Sequence, residues 1–350
     1  MADQANLSPR AANTRFVATA RPRRSRRPRR PRRFATFAVL ALAGPGLSLG
    51  AAACSSSSGS AKPTPSASTP ALSPLTGIGA AGHVLAVKID NVGSAQRRQT
   101  GLNSADIVYV IEVEGGLSRY LAIYDSSRAP ARVGPVRSAR QTDIPLLAAY
   151  GRVGLAYSGA ISGLLPDLAA ANVQNITPAI ASSQFSNGGN DPTYISPASI
   201  FTAYPDLAEA KDVGLRFGPA PAGGQPAASM SATMPSASFT FTASGTRWLV
   251  SVDGRAANTT DQGRTSADNV IIQHVHVVPG KYTDHNAGHP DNEVFSQTTG
   301  QGLADFYRGG QVWHGQWSKA TDTSPTDYTI NGVPMPLAPG RTWIVLEGQG

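Results

Sequence analysis

The stretch VYVIEVEGGLSRYLAIY, residues 108–124, places two apolar runs on either side of a Gly-Gly pair. A two-residue glycine loop between apolar runs predicts a β-hairpin. In that register Glu112 pairs with Arg119, and both side chains share one face with Glu114. Packing alone does not require two carboxylates and an arginine beside a turn. The hairpin is therefore a candidate ligand site, with a solvated turn as the alternative.

A second segment, GPVRSARQTDIPLLAAYG at residues 134–151, reads as the start of a helix. Ser138 and Gln141 fit a capping box, which predicts a helix running to about Tyr150. Pro145 lies within that span and is expected to kink or split the helix.

Two arginines flank the predicted start of this helix. Arg137 stands just before the cap and Arg140 in the first turn, where the helix dipole is already positive. A negative group is expected to compensate. It is either internal, from Glu114 or Glu112, or an external anion held by the arginine forks. The sequence leaves both alternatives open.

The remainder of the body divides by pattern into two halves. Strand and helix signals alternate over residues 75–218, which predicts a mixed α/β domain. Residues 219–237 are rich in Pro, Gly, Ala and Ser and indicate a linker or long loop. Residues 238–350 show short strand-like runs, with GLADFYRGG as the one possible helical turn. The predicted fold class is α+β, an N-terminal mixed α/β domain followed by a C-terminal β-rich domain.

The first 74 residues have the composition of an export leader and a tether. An arginine-rich run (21–33), a short apolar run (34–43) and small residues up to Cys54 predict a signal peptide over residues 1–53. An uncleaved membrane anchor is the alternative, since residues 34–53 together are about long enough to span a bilayer. Residues 54–74 are rich in Ser and Pro and indicate a flexible tether.

Cys54, the only cysteine, follows three alanines and is similar to the lipidated cysteine of a lipobox. The same alanines also fit ordinary secretion. We expect lipidation at Cys54, which predicts a protein anchored at the extracytoplasmic face of the cell membrane.

The net charge of +8 belongs to the leader. Residues 1–53 hold 11 of the 30 basic residues and one acidic residue, so the body has 19 basic and 21 acidic residues, a net of −2. No nucleic-acid partner is expected. The sequence also shows no phosphate loop, dinucleotide fingerprint or G-x-S-x-G elbow, and no cofactor is expected.

The segments GLNSADIVYVIEVEGGLSRYLAIY, GPVRSAR and GRTWIVLE, in this order, resemble the YerB-like family of bacterial lipoproteins, a family of unknown function. The resemblance covers most of the chain after the tether and implies a lipid-anchored protein with a mixed N-terminal domain and a β-rich C-terminal domain. It departs at Val110, where the family usually has an acidic residue. The positions that match its pattern are Glu114, Gly115, Gly116, Arg119, Arg137, Ser138 and Arg140.

Histidines and carboxylates form a rival candidate site. His274 and His276 are two apart and would share a strand face, and residues 284–293, DHNAGHPDNE, add further imidazoles and carboxylates, including His285, His289 and Glu293. Such groups can ligate zinc. A half-exposed strand face and a solvated loop explain the pattern better, so no metal site is predicted.

Aromatic residues invite a carbohydrate-stacking interpretation. Trp313, Trp317 and Trp343, with Tyr307, stand at strand-like spacing. Aromatics at this spacing more often belong to a core.

Three function classes follow from the sequence. The preferred one is an envelope lipoprotein that binds an anionic cell-wall component or an envelope protein through Glu114, Arg119, Arg137, Arg140 and Glu112. A cell-wall hydrolase using Glu112 or Glu114 with Asp90 or Asp143 is the second, although neighbouring arginines oppose a general acid there. A structural envelope scaffold is the third. Whether any reaction is catalysed stays open at this stage.

Overall fold

The computed structural model of the chain describes residues 72–187, 193–284 and 291–349. The predicted signal peptide, Cys54 and the tether up to residue 71 lie outside the described residues, as do His285 and His289. No helix among the described residues has the length and apolarity needed to cross a lipid bilayer.

Strands dominate the described residues, and the three α-helices are short. The helices are α1 (Asp143–Ala148), α2 (Leu165–Ala170) and α3 (Pro197–Ala203). The strands of the first half are β1 (Val84–Asp90), β2 (Ile107–Val113), β3 (Leu117–Asp125), β4 (Val153–Ala156), β5 (Val173–Ile176), β6 (Phe185–Asn187), β7 (Thr193–Ile195) and β8 (Arg216–Phe217).

In the described part of the second half, the regular elements are all strands. They are β9 (Gln225–Pro226), β10 (Ser229–Met234), β11 (Ala237–Ser244), β12 (Arg247–Val252), β13 (Arg255–Ala256), β14 (Asn258–Thr259), β15 (Gly263–Arg264), β16 (Ser266–Ala267), β17 (Asn269–Val275), β18 (Val277–Asp284), β19 (Asp291–Ser296), β20 (Gly300–Arg308), β21 (Gln311–Lys319), β22 (Asp327–Ile330), β23 (Val333–Pro334), β24 (Pro336–Leu337) and β25 (Thr342–Gly348).

One large sheet takes strands from both halves of the chain. Its order is β23-β22-β21-β20-β17-β25-β2-β3-β1-β4-β5, with β9 paired to β21. β25 lies between β2 and β17 and is parallel to both. β1, β4 and β5 also run parallel to one another, whereas β2-β3 and β3-β1 are antiparallel. The boundaries between the two predicted domains, at residues 218 and 238, stay a prediction.

The central strands are largely apolar, as expected for a sheet that is covered on both faces. On the first face, Phe239 and Phe241 of a smaller sheet (β10-β11-β12-β13, with β16 beside β12) pack over Tyr120 and Trp343. The rings of Tyr120 and Trp343 meet edge to face at 5.3 Å. On the second face, Leu147 of α1 packs in the same core cluster as Leu121 and Ile344.

The aromatic candidates belong to these cores. Trp313, Trp317 and Trp343 are buried, and Tyr307 stands edge to face with Trp248 at 5.7 Å. Because their ring faces are covered by protein, the carbohydrate-stacking interpretation is wrong for the three tryptophans.

The predicted fold class, α+β, overstates the helical content. Helices in the predicted α/β half are six or seven residues long, so the fold is strongly β-rich rather than clearly α+β. GLADFYRGG, predicted as a helical turn, is largely strand β20. Within residues 219–237, predicted as a linker or long loop, β10 alternates exposed and buried side chains and pairs with β11.

The helix predicted from Ser138 begins later. Residues 136–139 are extended, because Arg137 N donates to Lys88 O and Ala139 N donates to Gly159 O. α1 begins at Asp143, so Pro145 lies in its first turn, where its missing N–H costs nothing. Neither arginine stands in the first turn of a helix, and the dipole argument for them was wrong.

Candidate functional site

The hairpin turn uses three residues rather than two. Glu114, Gly115 and Gly116 form it, and both glycines have positive φ angles, 68° and 69°. A Cβ on Gly116 would lie 2.5 Å from Cβ of Pro235, whereas nothing lies within 4 Å of one on Gly115. Gly116 is therefore required both by its backbone angle and by close packing.

The longer turn shifts the strand register by one residue. Glu112 lies opposite Ser118, and Ile111 lies opposite Arg119. Since successive side chains alternate in direction, Glu112 lies on the first face of the large sheet and Arg119 on the second. The predicted Glu112–Arg119 pair is wrong for this reason.

Glu114 and Arg140 form a buried ion pair across the turn. Arg140 Nη2 donates to Glu114 Oε2 at 2.7 Å, and Arg140 Nε lies 2.5 Å from Oε1 without hydrogen-bond alignment. Arg140 Nη1 donates to the carbonyl of Ala139. The negative group that was expected to compensate Arg140 is therefore Glu114 of the same chain.

Arg137 is held at the end of β1. Its Nε lies 3.0 Å from Asp90 Oδ2, and its side chain is 52% exposed. An ion pair this exposed contributes at most about 1 kcal/mol. Arg137 is therefore the solvent-facing arginine of the group.

Lys88 and Asp143 form a pair that the sequence interpretation missed. Lys88 Nζ lies 2.8 Å from Asp143 Oδ1, and both side chains are 0% exposed. Burial lowers the pKa of Lys88, which the charge of Asp143 opposes. Asp143 Oδ2 also accepts from the Arg140 backbone N–H. The available signal was a lysine inside the apolar strand VLAVKID.

Arg119 lies among these pairs without forming one. Within the described part of the chain, its enclosed Nε and Nη1 have no hydrogen-bond partner and no carboxylate lies within salt-bridge distance. Burial lowers its pKa to about 10, and the charge of Arg140 adds to that effect. Glu114 and Asp90 act in the opposite direction. Arg119 is thus a largely desolvated cation whose neighbouring carboxylates are paired to other cations.

Glu293 completes the group from strand β19. Its Oε1 accepts from the Gln141 N–H at 2.7 Å, while the buried Oε2 has no partner among the described residues. Burial raises its pKa to about 7, although the Gln141 N–H and the charge of Arg140 oppose the rise. The sequence had placed Glu293 in a solvated polar loop.

We call this group the polar cluster. Its members are Lys88, Asp90, Glu114, Arg119, Arg137, Arg140, Asp143 and Glu293. The structure therefore brings four of the five predicted ligand-binding residues together and separates Glu112 from them.

Glu112 lines a groove on the first face instead. The groove has a volume of about 560 Å³ and is shared with Glu293. Glu112 is 7% exposed, and burial raises the pKa of its carboxyl.

Three of the four carboxylates that the sequence suggested for a hydrolase are paired with basic side chains. Glu114, Asp90 and Asp143 are bound by Arg140, Arg137 and Lys88, respectively. A general acid needs a raised pKa, and an adjacent cation favours the ionised carboxylate. The geometry therefore indicates that these carboxylates hold the neighbouring basic side chains in place.

His274 is engaged with carboxylates rather than with His276. Its Nε2 lies 3.3 Å from Asp305 Oδ2, and its Nδ1 lies 3.5 Å from Glu347 Oε2. Asp305 Oδ1 lies 2.6 Å from His314 Nδ1. Over the ranges that the structure covers, no group of three or more His, Cys, Asp or Glu side chains is arranged to hold a metal.

Two family models match the chain. Residues 75–213 match the N-terminal domain, and residues 228–344 the C-terminal domain, of the family described as "Protein of unknown function (DUF3048)".

A curated relative and a solved structure come from Bacillus subtilis. "Putative lipoprotein YerB" of strain 168 is 44% identical over 78 residues, which span 21% of this chain and 23% of that protein. The crystal structure of YerB protein matches with a TM-score of 0.66 at 21% identity, covering 79% of this chain and 97% of that one. The structural likeness concerns the fold alone. The resemblance to YerB-like proteins is thereby confirmed.

Proposed function

The chain belongs to the DUF3048 family, and from this premise we propose that it is a lipid-anchored protein of the cell envelope whose polar cluster binds an anionic group at Arg119. The anchor is supported by the leader, by Cys54 after three alanines and by the printed name of the Bacillus subtilis relative. The polar cluster supports the ligand site.

The observation that carries the proposal is the unpartnered guanidinium of Arg119. Its Nε and Nη1 are enclosed, and no acceptor among the described residues reaches them. Arg119 is partly exposed, but enclosed donors that lack an acceptor still cost about 1–3 kcal/mol when nothing compensates them. Arg140, Arg137 and Lys88 each have a carboxylate, so Arg119 is the cation that an added anion would neutralise.

The chemistry of the site fits a carboxylate or phosphate group. A guanidinium presents planar, parallel donors that match the two oxygens of such a group. Arg137, which is half exposed and paired to Asp90, is a further guanidinium donor near Arg119. Carboxylates of wall peptides, phosphates of anionic wall polymers and acidic side chains of an envelope protein share this chemistry.

The test compares the full-length protein, purified in detergent, with Arg119→Met and with the control Arg97→Met. Arg97 is an exposed arginine without an ion pair in the described residues. Poly(glycerol phosphate), a wall tetrapeptide with a free carboxylate and its amidated counterpart are titrated by calorimetry and thermal melting. At a ligand concentration of about 100 times Kd, binding stabilises the folded state by about 2.7 kcal/mol.

We expect an anionic probe to bind wild type and Arg97→Met but not Arg119→Met. Comparison of the peptide with its amide separates carboxylate recognition from phosphate recognition. If Arg119→Met binds every probe as wild type does, the proposal is wrong. If no probe binds and Arg119→Met changes only the melting temperature, the cluster is a scaffold.

A further inference from the structure

A second basic site lies where strands β12 and β16 of the smaller sheet meet the segment before β25. Its cavity has a volume of about 330 Å³, which falls within the range of small-molecule sites. We call it the arginine pocket. Its lining residues are Asn103, Arg247, Gln262, Arg264, Ser266 and Arg341.

The arginine pocket is separate from the polar cluster. Arg341 directly precedes Thr342, which pairs with Ile107 at the start of β2. Arg119 lies opposite Ile111, four residues further along β2, a distance of about 13 Å. Its side chain is on the second face of the large sheet, whereas the smaller sheet covers the first face. A ligand at one site therefore does not reach the other.

Two of the three arginines are held in place by the protein. Arg341 Nη1 donates to the carbonyl and the side chain of Asn103, and its Nη2 donates to Ser266 Oγ at 3.0 Å. Arg264 Nη1 donates to two backbone carbonyls, and its Nη2 donates to Ser251 Oγ at 3.2 Å. A guanidinium has five N–H donors. Each of these two therefore keeps donors that no acceptor among the described residues uses.

The third arginine has a free fork. Arg247 Nε lies 3.2 Å from Asp268 Oδ1, and its two Nη atoms have no hydrogen-bond partner in the described chain. Asp268 Oδ2 lies 3.8 Å from Arg341 Nε and also accepts the Arg341 backbone N–H. Arg264 has no carboxylate within salt-bridge distance over the described ranges. Three guanidinium groups thus share one carboxylate, a local net charge of +2.

The electrostatics of Arg341 agrees with an excess of positive charge. Burial lowers the pKa of Arg341, and the charge of Arg247 lowers it further. Asp268 and Asp106 oppose this shift, but Asp106 is itself paired with Arg128 at 3.0 Å. Because neighbouring like charges disfavour each other, a bound anion would stabilise the whole group.

We propose that the arginine pocket binds a doubly charged phosphate group, as carried by a phosphate monoester. Two negative charges match the local charge of +2. Planar guanidinium donors match pairs of phosphate oxygens, and two of the three guanidinium groups are already oriented by the protein. A carboxylate or a phosphodiester carries one charge and should bind more weakly.

The phosphate has two possible sources, a lipid headgroup and a soluble ester. The described chain begins at Leu72, and Gly340 N donates to Thr76 O at 2.8 Å. The pocket therefore lies at the end of the fold where the chain enters from Cys54. A lipid source rests on the anchor of the proposed function, whereas the phosphate site itself does not.

The probe pair is methyl phosphate and dimethyl phosphate. At about pH 8 they differ by one methyl group and one charge, because a phosphate monoester loses its second proton near pH 6. Binding to the full-length, detergent-purified protein is measured by calorimetry. The variants are Arg247→Met and Arg341→Met. The control is Arg255→Met, which removes an exposed arginine of the same small sheet outside the pocket.

We expect wild type and Arg255→Met to bind methyl phosphate about tenfold or more tightly than dimethyl phosphate. Arg247→Met should reduce this preference, and Arg341→Met should abolish it. Melting curves verify that each variant is folded. Arg247→Met guards the test against misfolding, because its side chain is 57% exposed and makes a single ion pair.

Mixed micelles with phosphatidic acid identify the source of the phosphate. A lipid ligand predicts that phosphatidic acid displaces methyl phosphate at a lower concentration than glycerol 3-phosphate does. A soluble ligand predicts the reverse order. Micelles with phosphatidylcholine, which has no doubly charged phosphate, should displace nothing.

No binding of methyl phosphate, equal binding of the two probes by wild type, or a preference that survives in both variants would overturn the proposal. Arg119→Met should bind methyl phosphate as wild type does. Arg247→Met should bind the wall tetrapeptide as wild type does, since a carboxylate carries one charge. This proposal and the proposed function therefore succeed or fail separately.

Discussion

Replacing Glu293 with glutamine should change how the stability of the protein depends on pH. The wild-type carboxyl has its pKa raised from 4.5 to about 7 by burial. One pKa unit corresponds to about 1.4 kcal/mol, so the rise corresponds to about 3 kcal/mol. The amide side chain of the Glu293→Gln variant cannot ionise and retains an oxygen that can accept the Gln141 N–H.

The sign follows from proton binding. Between pH 4.5 and 7 the folded state holds the Glu293 proton more tightly than the unfolded state does. This contribution to wild-type stability is fully present below pH 4.5 and is lost as the pH rises through about 7. The free energy of unfolding of Glu293→Gln minus that of wild type should therefore rise by about 3 kcal/mol from about pH 4.5 to about pH 8.

Urea unfolding of both proteins at several pH values measures this difference. Other titrating groups, including Asp106 with its pKa raised to about 6 by burial, cancel because both proteins contain them. In melting experiments the effect should be on the order of 5 °C. Asp206→Asn, which removes an exposed carboxylate, should show no such trend. A difference between Glu293→Gln and wild type that is flat within about 0.5 kcal/mol would refute the desolvation of Glu293.

Three other predictions concern the cluster, the turn and the anchor. Lys88→Met should cost about 3–5 kcal/mol in urea unfolding, because it leaves Asp143 buried without its cation, and Lys88→Met/Asp143→Asn should recover much of that loss; a double variant no more stable than the single would contradict this reasoning. Gly116→Ala should lower the melting temperature more than Gly115→Ala. Both substitutions place alanine at a positive φ, which costs about 1–2 kcal/mol, but only the Cβ at position 116 would also clash with Pro235. Equal effects would count against the packing argument. Cys54→Ser should move the protein from the membrane fraction to the soluble fraction, whereas an uncleaved anchor would keep it in the membrane.

Local patterns were sufficient to locate the strands of the hairpin and their neighbours. VLAVKID is strand β1 along its full length, and both strands flanking the Gly-Gly pair form. The register failed because the count of turn residues depends on backbone angles at Gly115 and Gly116, which identity alone does not specify. A shift of one residue was enough to place Glu112 and Arg119 on opposite faces.

The partners of the charged residues could not be predicted because they come from distant parts of the chain. Glu293 reaches Gln141 across 152 positions, and Lys88 reaches Asp143 across 55. Arg140 does contact Glu114, although the reason given from the sequence, a helix dipole beside Arg137 and Arg140, was wrong because the helix begins at Asp143. Which arginine lacks a partner depends on side-chain geometry, and only the folded arrangement identifies Arg119.

The position of β25 determines when the large sheet can close. This strand follows all the others in chain order, yet it lies between β2 and β17. Until it is in place, the strands on its two sides form separate sheets, each with an unpaired apolar edge of the kind that recruits foreign strands. Closing the large sheet therefore requires β25, and a chain in which this strand is not yet paired exposes two edges that favour aggregation. The two halves should accordingly fold as one cooperative unit, and a fragment ending before β25 should be insoluble when produced alone.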